Sequence, residues 1–147
     1  MDRRPRPSRT DLASERGFTL VEMLVVILIV AILSSIALVL FLDQRTKAQD
    51  AEAKTTAGVA ARALVIWHQD KGTYAGAGVA QLAAIEPTLA TARGLVVSTT
   101  EATYRVSVVS AAGPAGGGPF EIDNSTGTTE RTCITPGRGG CPDGGIW

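Results

Sequence analysis

An uninterrupted apolar run near the start of the chain constrains its fold more than any other feature. The twenty residues from Met23 to Leu42 carry no charge, and their only polar side chains are Ser34 and Ser35. At about 1.5 Å of rise per residue, such a run forms a helix about 30 Å long, which matches the hydrocarbon thickness of a bilayer. Because lipid offers no partners to backbone N–H and C=O groups, a helix is the expected conformation. The sequence therefore predicts a membrane-spanning helix.

A single carboxylate, Glu22, stands at the head of this run. A charge in that position costs on the order of several kcal/mol unless it reaches water or finds a partner. Two interpretations are open from the pattern itself. Glu22 reaches water at the membrane surface, or it pairs with a cation on another molecule.

The residues around Glu22 resemble the class III signal of type IV pilins and type II secretion pseudopilins. The segment from Gly17 to Leu24 reads GFTLVEML. In that family a membrane peptidase cuts after the Gly and methylates the new N-terminal residue, and a Glu follows four residues later. The resemblance implies cleavage after Gly17, methylation of Phe18 and an assembly role for Glu22. In that role Glu22 would pair with the ammonium group that cleavage creates on Phe18 of a neighbouring subunit.

The resemblance also implies partners and a location. The expected partners are a prepilin peptidase/methyltransferase, other pilin subunits in a helical homo- or hetero-polymer, and inner-membrane assembly machinery. We expect a single-pass protein of the cytoplasmic membrane with its N-terminus inside, which later enters an extracellular pilus or cell-surface filament.

Three segments are expected: a cleaved cytoplasmic leader (1–17), a transmembrane and filament-core helix (18–42) and an extracytoplasmic head (43–147). The leader holds five Arg against three acidic residues, a net charge of +2, and this favours an inside location. Two other interpretations of the leader stay open. Arg3-Arg4 is compatible with a twin-arginine export signal, and the leader as a whole is compatible with an ordinary secretory peptide. The long span with a carboxylate near its start argues against both.

The helix is predicted to continue through residues 43–70, which lack Pro, and to stop at Lys71-Gly72. Phe18 to Asp70 would then be one helix about 80 Å long. Small apolar residues recur at helical spacing and predict its buried face. They are Ala48, Ala51, Val59, Ala63 and Ile66, with Ala60, Leu64 and Trp67 beside them.

Beyond Gly72 the pattern predicts a sheet region over about residues 95–134. A short helix is expected at Val79–Ile85 and a Gly/Pro loop at Ala112–Gly118. The expected strands are Leu95–Val97, Thr103–Val109, Phe120–Asp123 and Thr128–Ile134. Short connections favour an antiparallel sheet covered by the amphipathic half of the long helix. The expected class is α+β and pilin-like, a long N-terminal helix packed on a small antiparallel sheet.

Two cysteines, Cys133 and Cys141, enclose seven residues rich in Gly and Pro. The loop is flexible enough for a disulfide, and free thiols or a metal site remain the alternatives. Pilins often carry a C-terminal disulfide loop, so the resemblance implies a disulfide tail over 133–147.

Neither catalysis nor a cofactor is suggested by the remaining residues. The only histidine, His68, lies at a helix end, and no nucleophile–base set is evident. Residues 123–127 predict a turn, with a calcium loop as the alternative, and Asn124-Ser125-Thr126 matches a weak glycosylation sequon. No metal site is expected.

The predicted function is a structural subunit, pilin or pseudopilin, of a type IV pilus-like filament. Two alternatives stay open. One is a minor pilin whose head binds DNA or a surface, although zero net charge gives nucleic acid no support beyond scattered arginines. These are Arg93, Arg105, Arg131 and Arg138. The other is a membrane-anchored domain that never polymerises.

Overall fold

The structure, a computed structural model, describes residues 17–147, so the expected leader lies outside the described residues except for Gly17. The elements follow the order expected from the sequence. They are helix α1 (Leu20–Lys71), helix α2 (Val79–Ile85) and strands β1 (Leu95–Thr99), β2 (Tyr104–Val108), β3 (Phe120–Asp123) and β4 (Glu130–Cys133). Short 3₁₀ turns at Pro87–Thr91 and Gly113–Ala115 were not expected as such.

Helix α1 confirms the predicted long helix and its stop. Gly72 adopts a φ of +73°, and its N–H donates to the carbonyl of His68 at 2.7 Å. This left-handed cap satisfies a carbonyl that the last helical turn leaves unpaired. The chain divides into two compact units between Ala37 and Leu38, within α1.

The first unit presents the apolar run without cover from the described chain. None of the most apolar 18-residue window of α1 is buried. By length and composition this part of α1 is able to cross a membrane. Lipid, or helices of other molecules, must therefore cover it.

In the second unit the four strands form an antiparallel meander in the order β1-β2-β3-β4. The register places Val106 beside Ile122, and Phe120 beside Cys133. All four side chains are buried and share one core cluster with the Ala-rich face of α1. This arrangement confirms the predicted α+β class.

The buried face of α1 differs from the predicted stripe. Ala60, Ala63 and Leu64 are buried as expected, but Ala48, Ala51 and Ile66 are exposed, so the prediction is wrong for those three. Ala53 and Ala57 take their place. Because alanine occurs on both sides of this segment, helical spacing alone does not decide which side faces the sheet.

A carboxylate begins the buried face of α1, one turn before Ala53. Asp50 is completely buried. Its Oδ2 accepts hydrogen bonds from the backbone N–H of Gly117 at 2.8 Å and of Gly140 at 2.7 Å. Its Oδ1 has no hydrogen-bond partner among the described residues. One side chain of the helix therefore holds two separate loops, and we call this arrangement the Asp50 clamp.

Glycine is required where the loops approach the clamp. A Cβ atom at Gly140 would lie 2.9 Å from Cβ of Asp50, and one at Gly116 or Gly139 would collide with its carboxylate. One turn further along α1, Lys54 Nζ donates to the carbonyl of Gly140 at 2.5 Å. Asp50 thus binds the N–H group of Gly140, and Lys54 binds its carbonyl oxygen.

The second loop of the clamp is closed by the disulfide between Cys133 and Cys141, whose Cα atoms are 5.9 Å apart. The structure confirms this pairing. Beyond it the chain returns along the outer edge of β4, which sequence reasoning did not predict. Cys133 N–H donates to the carbonyl of Gly145 at 2.8 Å, and Trp147 N–H donates to that of Arg131 at 3.3 Å.

We expect Asp50→Ala to lower the free energy of unfolding of the head by about 2–5 kcal/mol, because it leaves two buried N–H groups unpaired. Guanidinium unfolding of the full chain in detergent, followed by tryptophan fluorescence, measures this effect because both tryptophans, Trp67 and Trp147, lie in the second unit. The matched control is Asp70→Ala, whose side chain is 70% exposed. Equal unfolding midpoints for the two variants would contradict the clamp.

Replacing both cysteines by serine should lower the unfolding free energy by about 2–3 kcal/mol, since the chain-entropy account assigns that value to a loop of this size. Mass spectrometry under non-reducing conditions should find Cys133 linked to Cys141 in exported protein. Two alkylatable thiols in the native protein would show that the disulfide does not form.

Candidate functional site

The candidate site is the short segment that leads into α1. Gly17 and Phe18 lie outside the helix, which begins at Leu20, and Phe18 is 78% exposed. Among residues 17–147, no atom apart from those of the adjoining residue lies within 4 Å of a Cβ placed on Gly17. The bond between Gly17 and Phe18 therefore sits in open, non-helical backbone.

Thr19 and Glu22 form a reciprocal capping box at the start of α1. The N–H and the hydroxyl of Thr19 both donate to Glu22 Oε2 at 2.8 Å. In return the N–H of Glu22 donates to the Thr19 hydroxyl at 3.1 Å. Such a box satisfies backbone donors that the first helical turn leaves without partners.

This geometry gives Glu22 a partner that neither interpretation from the sequence included. Two hydrogen bonds to Oε2 reduce the cost of holding a carboxylate at the head of an apolar run. Oε1 makes no hydrogen bond with residues 17–147 and remains able to accept one from a cation. The pattern Thr-x-x-Glu was the signal in the sequence that could have revealed the box.

The other residues singled out from the sequence lie in the second unit. His68 stacks on Tyr74 with ring centroids 4.3 Å apart, and Tyr74 in turn contacts Tyr104 at 5.0 Å. Trp67 packs partly buried against the core. These contacts give His68 and Trp67 packing roles.

The segment 123–127 folds as a turn anchored by its first residue. Asp123 Oδ1 accepts from the N–H of Ser125 at 2.7 Å, and Oδ2 accepts from Arg105 Nε at 2.7 Å. The Ser125 hydrogen bond is the main reason that the pKa of Asp123 lies below its usual value, and Arg105 lowers it further. Within residues 17–147 no group of His, Cys, Asp and Glu side chains could hold a metal ion.

Of the four head arginines singled out from the sequence, three already have contacts within the chain. Arg105 pairs with Asp123, and Arg138 donates to the carbonyl of Pro114 at 3.0 Å. Arg131 lies over the Trp147 ring, 5.4 Å from its centroid. Of these contacts, only the pair of Arg105 with Asp123 neutralises a charge, so the contacts alone do not favour or exclude the basic surface that DNA binding would need.

The apolar helix and the four-stranded antiparallel sheet form a pilin-like arrangement, and comparison with known proteins points in the same direction. Residues 12–38 match the family described as the prokaryotic N-terminal methylation motif. A 70-residue stretch is 39% identical to the fimbrial protein EcpC of Eikenella corrodens. That stretch covers 45% of this chain and 46% of EcpC, so the chain spans less than half of that relative in the match. No solved structure matches.

Both matches support the type IV pilin family that the sequence resembles. They point to a structural protein rather than an enzyme. The apolar part of α1 and the motif together support a membrane-anchored protein of a surface filament.

Proposed function

We propose that this protein is a structural subunit of a type IV pilus-like filament, cleaved after Gly17 and methylated on Phe18. The observation that carries the proposal is the position of Gly17, Phe18 and Glu22 at the head of an apolar helix that nothing in the described chain covers. The motif and the relative EcpC support it.

Cleavage is the first step. A peptidase must hold its substrate in extended form, and the Gly17–Phe18 bond is open and lies two residues before α1 begins. Glycine leaves room for close approach of an enzyme to the backbone. The partner for this step is a membrane peptidase that also methylates the new amino group.

Assembly is the second step, and the apolar surface of α1 drives it. Residues 20–37 are exposed in the single chain, so lipid surrounds them before assembly. In a filament the same surface is covered by helices of other subunits. Because lipid and packed helices are both apolar, transfer between them costs little hydrophobic free energy. Heterologous contacts that do not close then extend the stack into a fibre.

Glu22 acts in both states. In the single subunit it caps α1 through Thr19, and in the filament Oε1 accepts a hydrogen bond from the ammonium group of Phe18 on a neighbour. A charge-assisted hydrogen bond of this kind satisfies two charges in a low-dielectric core. Before cleavage the leader lies inside and the disulfide-bonded head lies in an oxidising exterior. After cleavage, assembly machinery at the inner membrane would lift the mature subunit into the filament.

We expect the native protein to begin at Phe18 with one added methyl group, measured as intact mass. Gly17→Leu should block cleavage, because the added side chain obstructs the close approach of the peptidase to the Gly17–Phe18 bond. The control is Gly58→Leu, which adds the same side chain in open space, but within α1, and should be processed normally. A mature start at any other residue would contradict the proposed processing.

Variants at Glu22 separate its charge from its capping. Glu22→Gln keeps the capping box but removes the charge, and Glu22→Leu removes both. Both should be cleaved and inserted, yet lower the ratio of sheared filament to membrane-bound mature subunit by roughly tenfold or more, because an ammonium group is left buried and unpaired.

The matched control is Thr19→Val, which weakens the cap and keeps the carboxylate. It should reduce filament yield less than either Glu22 variant. Normal filaments from Glu22→Gln would assign Glu22 a capping role only. Normal filaments from Glu22→Leu as well would favour an anchored domain that does not need this contact.

A further inference from the structure

We propose that a groove on the head binds the outward face of α1 from a second copy of this chain, with Arg62 of one copy against Glu52 of the next. This contact rests on the proposed filament function and assigns it a specific interface in the head.

The groove lies beside residues 49–59 of α1, in the second unit, and has a volume of about 430 Å³. Its walls are α1, the Pro87–Thr91 turn with the residues that follow it, and the end of β2. Apolar surface comes from Ala53, Val59 and Val109, and threonines from α1 and the turn supply hydroxyls. This is the apolar floor with a few polar groups that suits the binding of another molecule.

Two charged side chains line the groove without partners of their own. Glu52 belongs to the α1 wall and Arg93 to the opposite side, and both are exposed. Neither makes an ion pair in the part of the chain that the structure describes. The carboxylate of Glu52 is thus available to a cation from outside.

A complementary surface runs along α1 on the side that faces away from the sheet. Arg62, Val65, Ile66 and Gln69 recur at the spacing of one helical face, and all are exposed. We call this surface the outer stripe. Val65 is 41% and Ile66 50% exposed, so the outer stripe presents adjacent apolar surface that another molecule is able to contact. Arg62 likewise makes no ion pair with any residue from 17 to 147.

The occupant of the groove is a second copy because the two surfaces complement each other and both include residues of α1. A copy is unable to place its own stripe in its own groove, since both include residues of the same rigid helix. Arg62 carries the charge opposite to that of Glu52, and Val65 and Ile66 supply apolar surface to contact the apolar floor of the groove. Such a contact joins unlike surfaces and does not close on itself, so it extends into a fibre.

Charge reversal tests the pairing. Arg62→Glu and Glu52→Arg should each lower the ratio of sheared filament to mature membrane-bound subunit by roughly tenfold, because each places like charges in contact. The double variant should restore the ratio to near that of the unchanged protein. Both side chains are exposed, so tryptophan fluorescence should show an unchanged unfolding midpoint for the head.

Co-expression of the two single variants provides the sharpest measurement. Every contact between Arg62→Glu and Glu52→Arg subunits restores opposite charges, so filaments should reappear as a mixture of the two. Rescue of this kind requires that the groove and the stripe belong to copies of the same chain.

Arg93→Ser is the matched control, since it removes a cation from the same groove without touching the pair. We expect it to leave filament yield unchanged. An acidic small molecule in the groove would instead make Arg93 the sensitive residue and leave Arg62 neutral, which would overturn the inference. Failure of the double variant and of co-expression to restore filaments would do the same.

The proposed function is judged separately. If the unchanged protein forms no filaments, the function itself fails. If it forms filaments that neither charge reversal affects, only the groove contact is wrong.

Discussion

The Asp50 clamp is the interaction on which the arrangement of the head depends. It replaces an apolar contact between helix and loops by hydrogen bonds from one buried carboxylate to the N–H groups of Gly117 and Gly140. Hydrogen bonds to a charged acceptor are directional, so the clamp fixes the loop positions more narrowly than apolar packing would. The same geometry explains the glycine content of the loops, because side chains on Gly116 or Gly139 would meet the carboxylate.

Elements whose signal is local could be predicted from the sequence. The bounds of α2 and β3 match the predicted residues, and the stop of α1 follows from Gly72. What depends on partners distant in sequence could not be predicted. In the sequence nothing distinguishes Asp50 from other acidic residues of the helix, because the loops that it binds are distant along the chain. The pairing of the C-terminal residues along β4 likewise has no periodic signal in the sequence. The predicted start of β4, Thr128, lies two residues before the observed one, since threonines favour strands but those before Glu130 lie in the connection from β3.

At the candidate site the spacing of Gly17, Phe18 and Glu22 predicts a processing signal, and that role stays a prediction. The capping box was not predicted and emerges from the hydrogen bonds of Thr19. A carboxylate that caps its own helix is held in place before any partner arrives. Preorganisation of this kind lowers the entropy lost when a second molecule binds.

The return of the chain along β4 has a consequence for how such heads behave when crowded. An open strand edge is a template on which another sheet can add, and a ribbon of sheets needs two open edges on every member. Here the backbone of Gly145 and Trp147 occupies one outer edge, which leaves β1 at the other end of the sheet. The segment that pairs with β4 is short, so the edge that it presents offers few backbone groups to a further strand. Growth at this end of the sheet is therefore disfavoured in a protein proposed to be displayed at very high local density.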